Sequence, residues 1–201
     1  MARSIIILFA IMSIQSASAA TLLIWGDSLS AAYGIDQKTA WPALLEQKLQ
    51  GEGYRYKLVN ASISGETTAG GLTRLPAALA EHKPAVVIIE LGANDGLRGL
   101  PVPAMRSNLD AMIRATQSAG AKVMLIGMRM PPNFGPVYTT KFQETFSGLA
   151  KERKTALLPF MMEGFAQRDE LFQGDNLHPT SAAQPLIIQN LWPVLKPLLR
   201  K

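Results

Sequence analysis

Residues 85–91, with the sequence AVVIIEL, narrow the possible folds of this 201-residue chain more than any other stretch. Six of these seven side chains are apolar, so the segment lacks the alternation of apolar and polar residues that is typical of a strand with one solvent-exposed face. A strand of this kind is covered on both faces, which is typical of a parallel sheet lying between layers of helices.

The rest of the chain supplies further segments that fit such a sheet. Strands are predicted over residues 22–25, 56–60, 122–128 and 155–159. Helices are predicted over residues 39–48, 68–81, 103–119, 140–151 and 181–199, with loops over 130–138 and 174–179. Short apolar strands alternating with amphipathic helices indicate the α/β class, with helices on both faces of a mostly parallel sheet of about five strands. The length suits one domain, and no boundary for a second one is found.

The first twenty residues have the pattern of a secretory signal peptide. Arg3 gives a short basic start, residues 5–14 are an apolar run too short to span a bilayer, and small residues follow. The pattern Ala-x-Ala places cleavage near Ala19 and Ala20, either before Ala20 or before Thr21. We therefore expect an exported protein with residues 1–20 as signal peptide, residues 21–201 as the domain, and no stable membrane span.

A serine follows the first predicted strand, in the stretch Gly26-Asp27-Ser28-Leu29-Ser30. This stretch is also a good turn sequence, which is its alternative interpretation. Polar residues end the other strands as well, and the carboxyl ends of parallel strands share one edge of the sheet. The sequence therefore predicts Ser28 as a nucleophile at that edge.

A serine nucleophile needs a base, and the chain has only two histidines. His82 lies at the end of a predicted helix beside charged residues, where a structural role is expected. His178 lies in a late loop, three residues after Asp175, so one turn can bring the carboxylate to the imidazole. Acyl transfer also needs hydrogen-bond donors for the developing oxyanion, which the backbone N–H groups of Ser28 and Gly65 and the amide of Asn94 can supply.

Four stretches together resemble the sequence blocks of the SGNH (GDSL) hydrolases. They are Gly26-Asp27-Ser28-Leu29, Ser64-Gly65, Gly92-Ala93-Asn94-Asp95 and Asp175-Asn176-Leu177-His178-Pro179. Residues 60–67 and 90–101 resemble the exported bacterial thioesterase I, arylesterase and lysophospholipase subgroup. The resemblance implies a flavodoxin-like three-layer α/β/α fold, a Ser28–His178–Asp175 triad, and an oxyanion hole formed by Ser28, Gly65 and Asn94. It also implies a periplasmic esterase or thioesterase.

The acyl-binding residues are less specified by the sequence. We predict a groove lined by Met128, Met130, Pro131, Pro132, Phe134 and Tyr138, with Leu72 and Leu75 as the opposite wall; ordinary packing is the alternative. Small-molecule acyl esters or thioesters are the expected substrates, and the chain is expected to act as a monomer.

Other classes of function have less support. A carbohydrate deacetylase on the same fold and a non-catalytic periplasmic binding module remain as alternatives. The scattered basic residues include no block with interleaved aromatics, which argues against nucleic-acid binding. Two histidines without any cysteine give no zinc-binding pattern, and no dinucleotide-binding Gly-x-Gly-x-x-Gly begins at Gly26, so no cofactor is expected.

Overall fold

In the computed structural model, which describes residues 19–201, a five-stranded parallel sheet lies between two layers of helices. The strands are β1 (Ala20–Gly26), β2 (Tyr56–Asn60), β3 (Val86–Glu90), β4 (Lys122–Ile126) and β5 (Ala156–Leu158). The helices are α1 (Trp41–Gly51), α2 (Thr68–His82), α3 (Ala93–Leu97), α4 (Val102–Ser118), α5 (Pro136–Arg153) and α6 (Gln184–Leu195). Short 3₁₀ turns span Gln37–Thr39, Pro132–Phe134, Asp169–Leu171, Ser181–Ala183 and Lys196–Leu198.

The strand order β2-β1-β3-β4-β5 determines where a ligand can bind. All neighbouring strands are parallel. The chain passes from β1 outward to β2 and then returns to the other side of β1 to form β3. The direction of winding therefore reverses between β1 and β3, and open α/β sheets bind ligands in the crevice at this point. Gly26 and Glu90, the last residues of these two strands, pair with each other.

The central strands are covered on both faces, as their apolar sequences predict. All five residues of β3 are buried, as are the last five of β1. Helices α1 and α6 pack together on one face, and α2, α4 and α5 form the row on the other. The α/β class and the three-layer arrangement are thus confirmed.

Several predicted boundaries were wrong. Helix α5 begins at Pro136, within the predicted loop, because proline is tolerated in the first turn of a helix. The predicted helix over 181–199 divides into α6 and a 3₁₀ turn at each end. The five-residue helix α3, directly after β3, was not predicted.

The predicted signal peptide falls largely on residues 1–18, which lie outside the described residues. Among residues 19–201, no helix combines the length and the apolar character needed to cross a bilayer.

Candidate active site

Ser28 lies in a tight turn at the carboxyl end of β1. The carbonyl of Asp27 accepts hydrogen bonds from the N–H groups of Ser30 (3.2 Å) and Ala31 (2.9 Å), which close this turn. The Ser28 side chain is half-buried and borders a cavity. The turn interpretation and the nucleophile interpretation are therefore compatible, since the turn presents the hydroxyl group to open space.

The structure brings His178 and Asp175 to Ser28 across 150 residues of sequence. The Nε2 atom of His178 lies 2.8 Å from Ser28 Oγ, and Nδ1 lies 2.6 Å from Asp175 Oδ2. With the proton on Nδ1, the ring donates to Asp175 and accepts the hydroxyl hydrogen of Ser28. Asn176 has a positive φ of 56° and lets the chain turn back within these few residues.

The loop also keeps Asp175 ionised. Partial burial raises the pKa of Asp175, but backbone N–H groups of His178 and Leu177 and the His178 ring outweigh it and lower the pKa to about 2. The two N–H groups donate to Oδ1 at 3.0 and 2.9 Å. An ionised carboxylate in this place fixes the imidazole tautomer and stabilises an imidazolium.

Tyr33 covers His178, a contact that the sequence analysis missed. The two ring centroids lie 4.5 Å apart with a 39° tilt, although Tyr33 is 52% exposed. Gln173 links the two loops, because its Nε2 donates to the Tyr33 carbonyl (2.9 Å) and its N–H donates to the His178 carbonyl (2.8 Å). An aromatic residue after a Gly-Asp-Ser turn has no periodicity that would indicate this placement.

Two backbone N–H groups at the carboxyl edge of the sheet have no acceptor within the described residues. Neither Ser28 nor Gly65 donates its N–H to another residue in the part of the chain that the structure describes. Gly65 has a φ of +78°, a conformation that favours glycine. The carbonyl of Gly65 accepts a hydrogen bond from Arg98 Nη2 at 2.9 Å, which ties this loop to the end of α3.

The Asn94 amide borders the same cavity but is engaged with protein groups. Its Nδ2 atom donates to Asp27 Oδ2 (3.0 Å) and to the Glu66 carbonyl (3.1 Å). The amide is therefore held between the Ser28 turn and the loop after β2. Donation to a third acceptor requires that one of these hydrogen bonds be shared or exchanged.

A cavity of about 490 Å³ extends from Ser28 and His178 and has a largely apolar lining. Four of the predicted groove residues line it: Met128, Met130, Pro131 and Pro132. Its other apolar lining residues include Phe160, Met162 and Phe172. These side chains follow β4 and β5, so they belong to the opposite side of the site from α2.

The other predicted groove residues do not line this cavity. Leu75 is fully buried in the core, and Leu72 packs against the core from α2. Phe134 and Tyr138 also pack against the core, and the Tyr138 hydroxyl donates to the Leu100 carbonyl at 3.1 Å. The predicted opposite wall on α2 was therefore wrong, because the apolar face of that helix packs against the sheet.

Comparison with known proteins gives consistent results. The family described as GDSL-like Lipase/Acylhydrolase matches residues 24–185. The chain is 52% identical to Esterase TesA of Pseudomonas aeruginosa over 185 residues, which is 92% of each chain. It is 42% identical to Thioesterase 1/protease 1/lysophospholipase L1 of Escherichia coli K12, covering 94% of this chain and 89% of that protein. A crystal structure of TesA superposes with a TM-score of 0.87 over 89% of this chain and 99% of that one.

Proposed function

The chain belongs to the GDSL-like lipase/acylhydrolase family, and we infer that it cleaves carboxylic esters and thioesters through an acyl-enzyme formed on Ser28. One observation carries the assignment of the nucleophile: the 2.8 Å contact between His178 Nε2 and Ser28 Oγ, with Asp175 on the opposite ring nitrogen. The relatives named as an esterase and as a thioesterase and lysophospholipase support this reaction class.

The reaction follows from the placement of these groups. His178 Nε2 removes the hydroxyl proton as Ser28 Oγ attacks the acyl carbonyl, and Asp175 stabilises the resulting imidazolium. The N–H groups of Ser28 and Gly65 stabilise the oxyanion of the tetrahedral intermediate, together with the Asn94 amide. His178 then protonates the leaving alcohol or thiol, and water hydrolyses the acyl-enzyme in a second, equivalent step.

A serine-directed phosphonate tests the assignment of the nucleophile. We expect stoichiometric labelling of Ser28, found by mass spectrometry of the digested protein, with parallel loss of hydrolysis of p-nitrophenyl esters and acyl-CoA. Full activity after complete labelling at Ser28, or inactivation with the label on another residue, would contradict the proposal.

Asn94→Ala is expected to lower kcat by about 10²- to 10³-fold, or about 2.7–4 kcal/mol, if Asn94 is an oxyanion donor. The substitution also removes the hydrogen bonds from Asn94 to Asp27 and Glu66, so thermal unfolding must be measured beside the kinetics. A large fall in kcat with unchanged KM indicates the oxyanion role. A lower melting temperature with unchanged kcat would instead indicate a structural role only.

The apolar cavity is proposed as the acyl-chain site. Met130→Ala should lower kcat/KM for octanoyl esters by about 10-fold relative to acetyl esters, since the loss of a buried methionine contact corresponds to about 1.5 kcal/mol or more. Leu72→Ala is the matched control, because Leu72 lies outside the cavity lining. The measurement is a series of p-nitrophenyl esters of increasing chain length, and equal effects on every chain length would exclude this site.

We also propose that residues 1–20 contain a signal peptide that directs the protein to the bacterial periplasm. Ala20 is already the first residue of β1, pairs with Tyr56, and donates its N–H to the Arg55 carbonyl at 3.2 Å. This pairing favours cleavage before Ala20 over cleavage before Thr21, since the latter removes a paired residue. N-terminal sequencing of the periplasmic fraction distinguishes the two positions, and an uncleaved cytoplasmic product would contradict export.

A further inference from the structure

Two carboxyl groups lie buried together beneath the Ser28 turn. The side chains of Asp27 and Glu90 are fully buried, as is Ser30. Glu90 Oε2 accepts hydrogen bonds from Ser30 Oγ at 2.7 Å and from the Asp27 N–H at 3.3 Å. A Cβ atom on Gly26 would lie 2.7 Å from this same oxygen, so glycine is required where β1 ends against Glu90.

The Glu90 carboxyl group is buried directly beside the backbone and side chain of Asp27. Two ionised carboxylates side by side in a buried site repel each other, so one of the two groups is favoured in its neutral form. Oε2 of Glu90 accepts two hydrogen bonds, whereas Oε1 is buried and has no hydrogen-bond partner among the described residues. A negative charge on Glu90 would therefore be poorly stabilised at Oε1, which favours the neutral form of Glu90.

The surroundings of the pair favour Glu90 as the neutral member. Burial, and then the charge of Asp27, raise the pKa of Glu90 well above its ordinary value. Burial also raises the pKa of Asp27, to about 6, but hydrogen bonds from Leu29 and Asn94 and the nearby His178 favour its ionised form. Besides the two members of the pair, His178 is a titratable group that acts on Asp27. These influences favour a neutral Glu90 beside an ionised Asp27.

Asp27 connects this pair to both parts of the active site. Its Oδ1 atom accepts the Leu29 N–H at 3.1 Å, which holds the turn on the far side of Ser28. Its Oδ2 atom accepts the Asn94 amide at 3.0 Å. A displacement of Asp27 would therefore move the nucleophile and an oxyanion donor together.

We propose that Asp27 and Glu90 are positioning residues: a buried carboxyl pair, with Glu90 in its neutral form, that holds the Ser28 turn and the Asn94 amide in their reacting arrangement. The inference rests on the proposed roles of Ser28 and Asn94. Neither carboxyl group of the pair transfers a proton to substrate. The pair acts by keeping Asp27 in place as an ionised acceptor without burying two negative charges side by side, which would be strongly unfavourable.

Two substitutions of Glu90 separate positioning from simple packing. Glutamine reproduces a neutral glutamic acid, because its carbonyl oxygen can accept from the Ser30 hydroxyl and the Asp27 N–H as Oε2 does. Glu90→Gln should keep kcat for p-nitrophenyl acetate within about threefold. Glu90→Ala removes the acceptor of both groups and should lower kcat by about 100-fold with KM little changed, the loss expected for a nucleophile displaced by about 1 Å.

The neutral form of Glu90 has a separate readout in the pH dependence of stability. The unfolded pKa of Glu90 is near 4.5 and the folded pKa is well above it, so the folded protein retains a proton that the unfolded chain has lost. The folding equilibrium constant of the wild type should therefore fall by up to about tenfold per pH unit as pH rises above about 4.5. Glu90→Gln has no proton to lose, so its stability should show a smaller decline over the same range in urea unfolding followed by tryptophan fluorescence.

Each result has a defined meaning. Equal impairment of the Gln and Ala variants, unimpaired kcat in Glu90→Ala, or identical pH dependence of unfolding in wild type and Glu90→Gln would overturn the inference. If Glu90→Ala does not fold, the glutamine variant and its unfolding curves still decide. Full hydrolysis by Ser28→Ala would instead contradict the proposed function, and this outcome is independent of any Glu90 variant.

Discussion

Ser28→Ala is expected to lower kcat for esters and thioesters by roughly 10⁴- to 10⁶-fold. The substitution removes the oxygen that lies 2.8 Å from His178 Nε2, and no acyl-enzyme can form without it. The remaining rate would come from substrate binding and the oxyanion donors, acting on water as the nucleophile. Steady-state hydrolysis of p-nitrophenyl acetate and an acyl-CoA measures the loss, and the absence of phosphonate labelling gives independent evidence.

Ser64→Ala is the matched control for this substitution. Ser64 is exposed on the loop after β2, beside Gly65 and near the same edge of the sheet. Its loss should leave kcat within about twofold, as expected for a surface hydroxyl without a chemical role. Thermal unfolding of both variants should stay close to that of the wild type, because Ser28 is only half-buried. Substantial hydrolysis by folded Ser28→Ala would require a different nucleophile.

Much of the fold could be predicted because the pattern of apolar residues reports burial directly. Strand β2 has the predicted bounds, and β3 differs from the predicted range by one residue at each end. The helix that was missed depends on contacts distant in sequence. Helix α3 was interpreted as the polar end of a strand, and its Asp95 accepts hydrogen bonds from the N–H and hydroxyl groups of Thr68, 27 residues earlier.

The proposed triad could be predicted from the sequence because the chain offers few alternatives. With two histidines, of which His82 ends helix α2, His178 was the one reasonable base, and the structure brings it to Ser28. Glu90 gave no such signal. Its sequence position marks only the end of an apolar strand, and its contact with the Ser28 turn depends on the pairing of β3 with β1.

The proposed acyl site illustrates a different limit of sequence reasoning. Apolar side chains on α2 and apolar side chains in the loop after β4 have the same composition, yet the first pack against the sheet and the second line the cavity. Met130 shows that one side chain can do both, since it is nearly buried, lies against Gly96 and still borders the cavity. Hydrophobic pattern indicates that a residue is covered, but it does not say whether protein or ligand covers it.

Asp175→Asn is expected to lower kcat by about 10⁴-fold while leaving KM and the fold nearly unchanged. The asparagine amide would donate to His178 Nδ1, which moves the ring proton to Nε2. That nitrogen could then no longer accept the Ser28 proton across the 2.8 Å contact. The carboxylate of the wild type has a pKa of about 2, below the ordinary 3.8, so its contribution is complete above about pH 4 and is lost as pH falls toward 2. Asp175 therefore stays ionised from mildly acidic to neutral pH, and the loss of kcat in the variant should be present throughout this range.

Asp169→Asn is the matched control for Asp175→Asn, because Asp169 is an exposed carboxylate in the 3₁₀ turn that precedes the same loop. It should retain wild-type kcat at each pH, which separates the loss of a general surface charge from the loss of the His178 partner. Retention of more than about one tenth of kcat by Asp175→Asn would mean that the 2.6 Å contact does not set the tautomer. In that case the orientation of His178 must come from its other neighbours, the Tyr33 ring at 4.5 Å and the Gln173 hydrogen bond to its carbonyl, and Tyr33→Ala would then become the more damaging substitution.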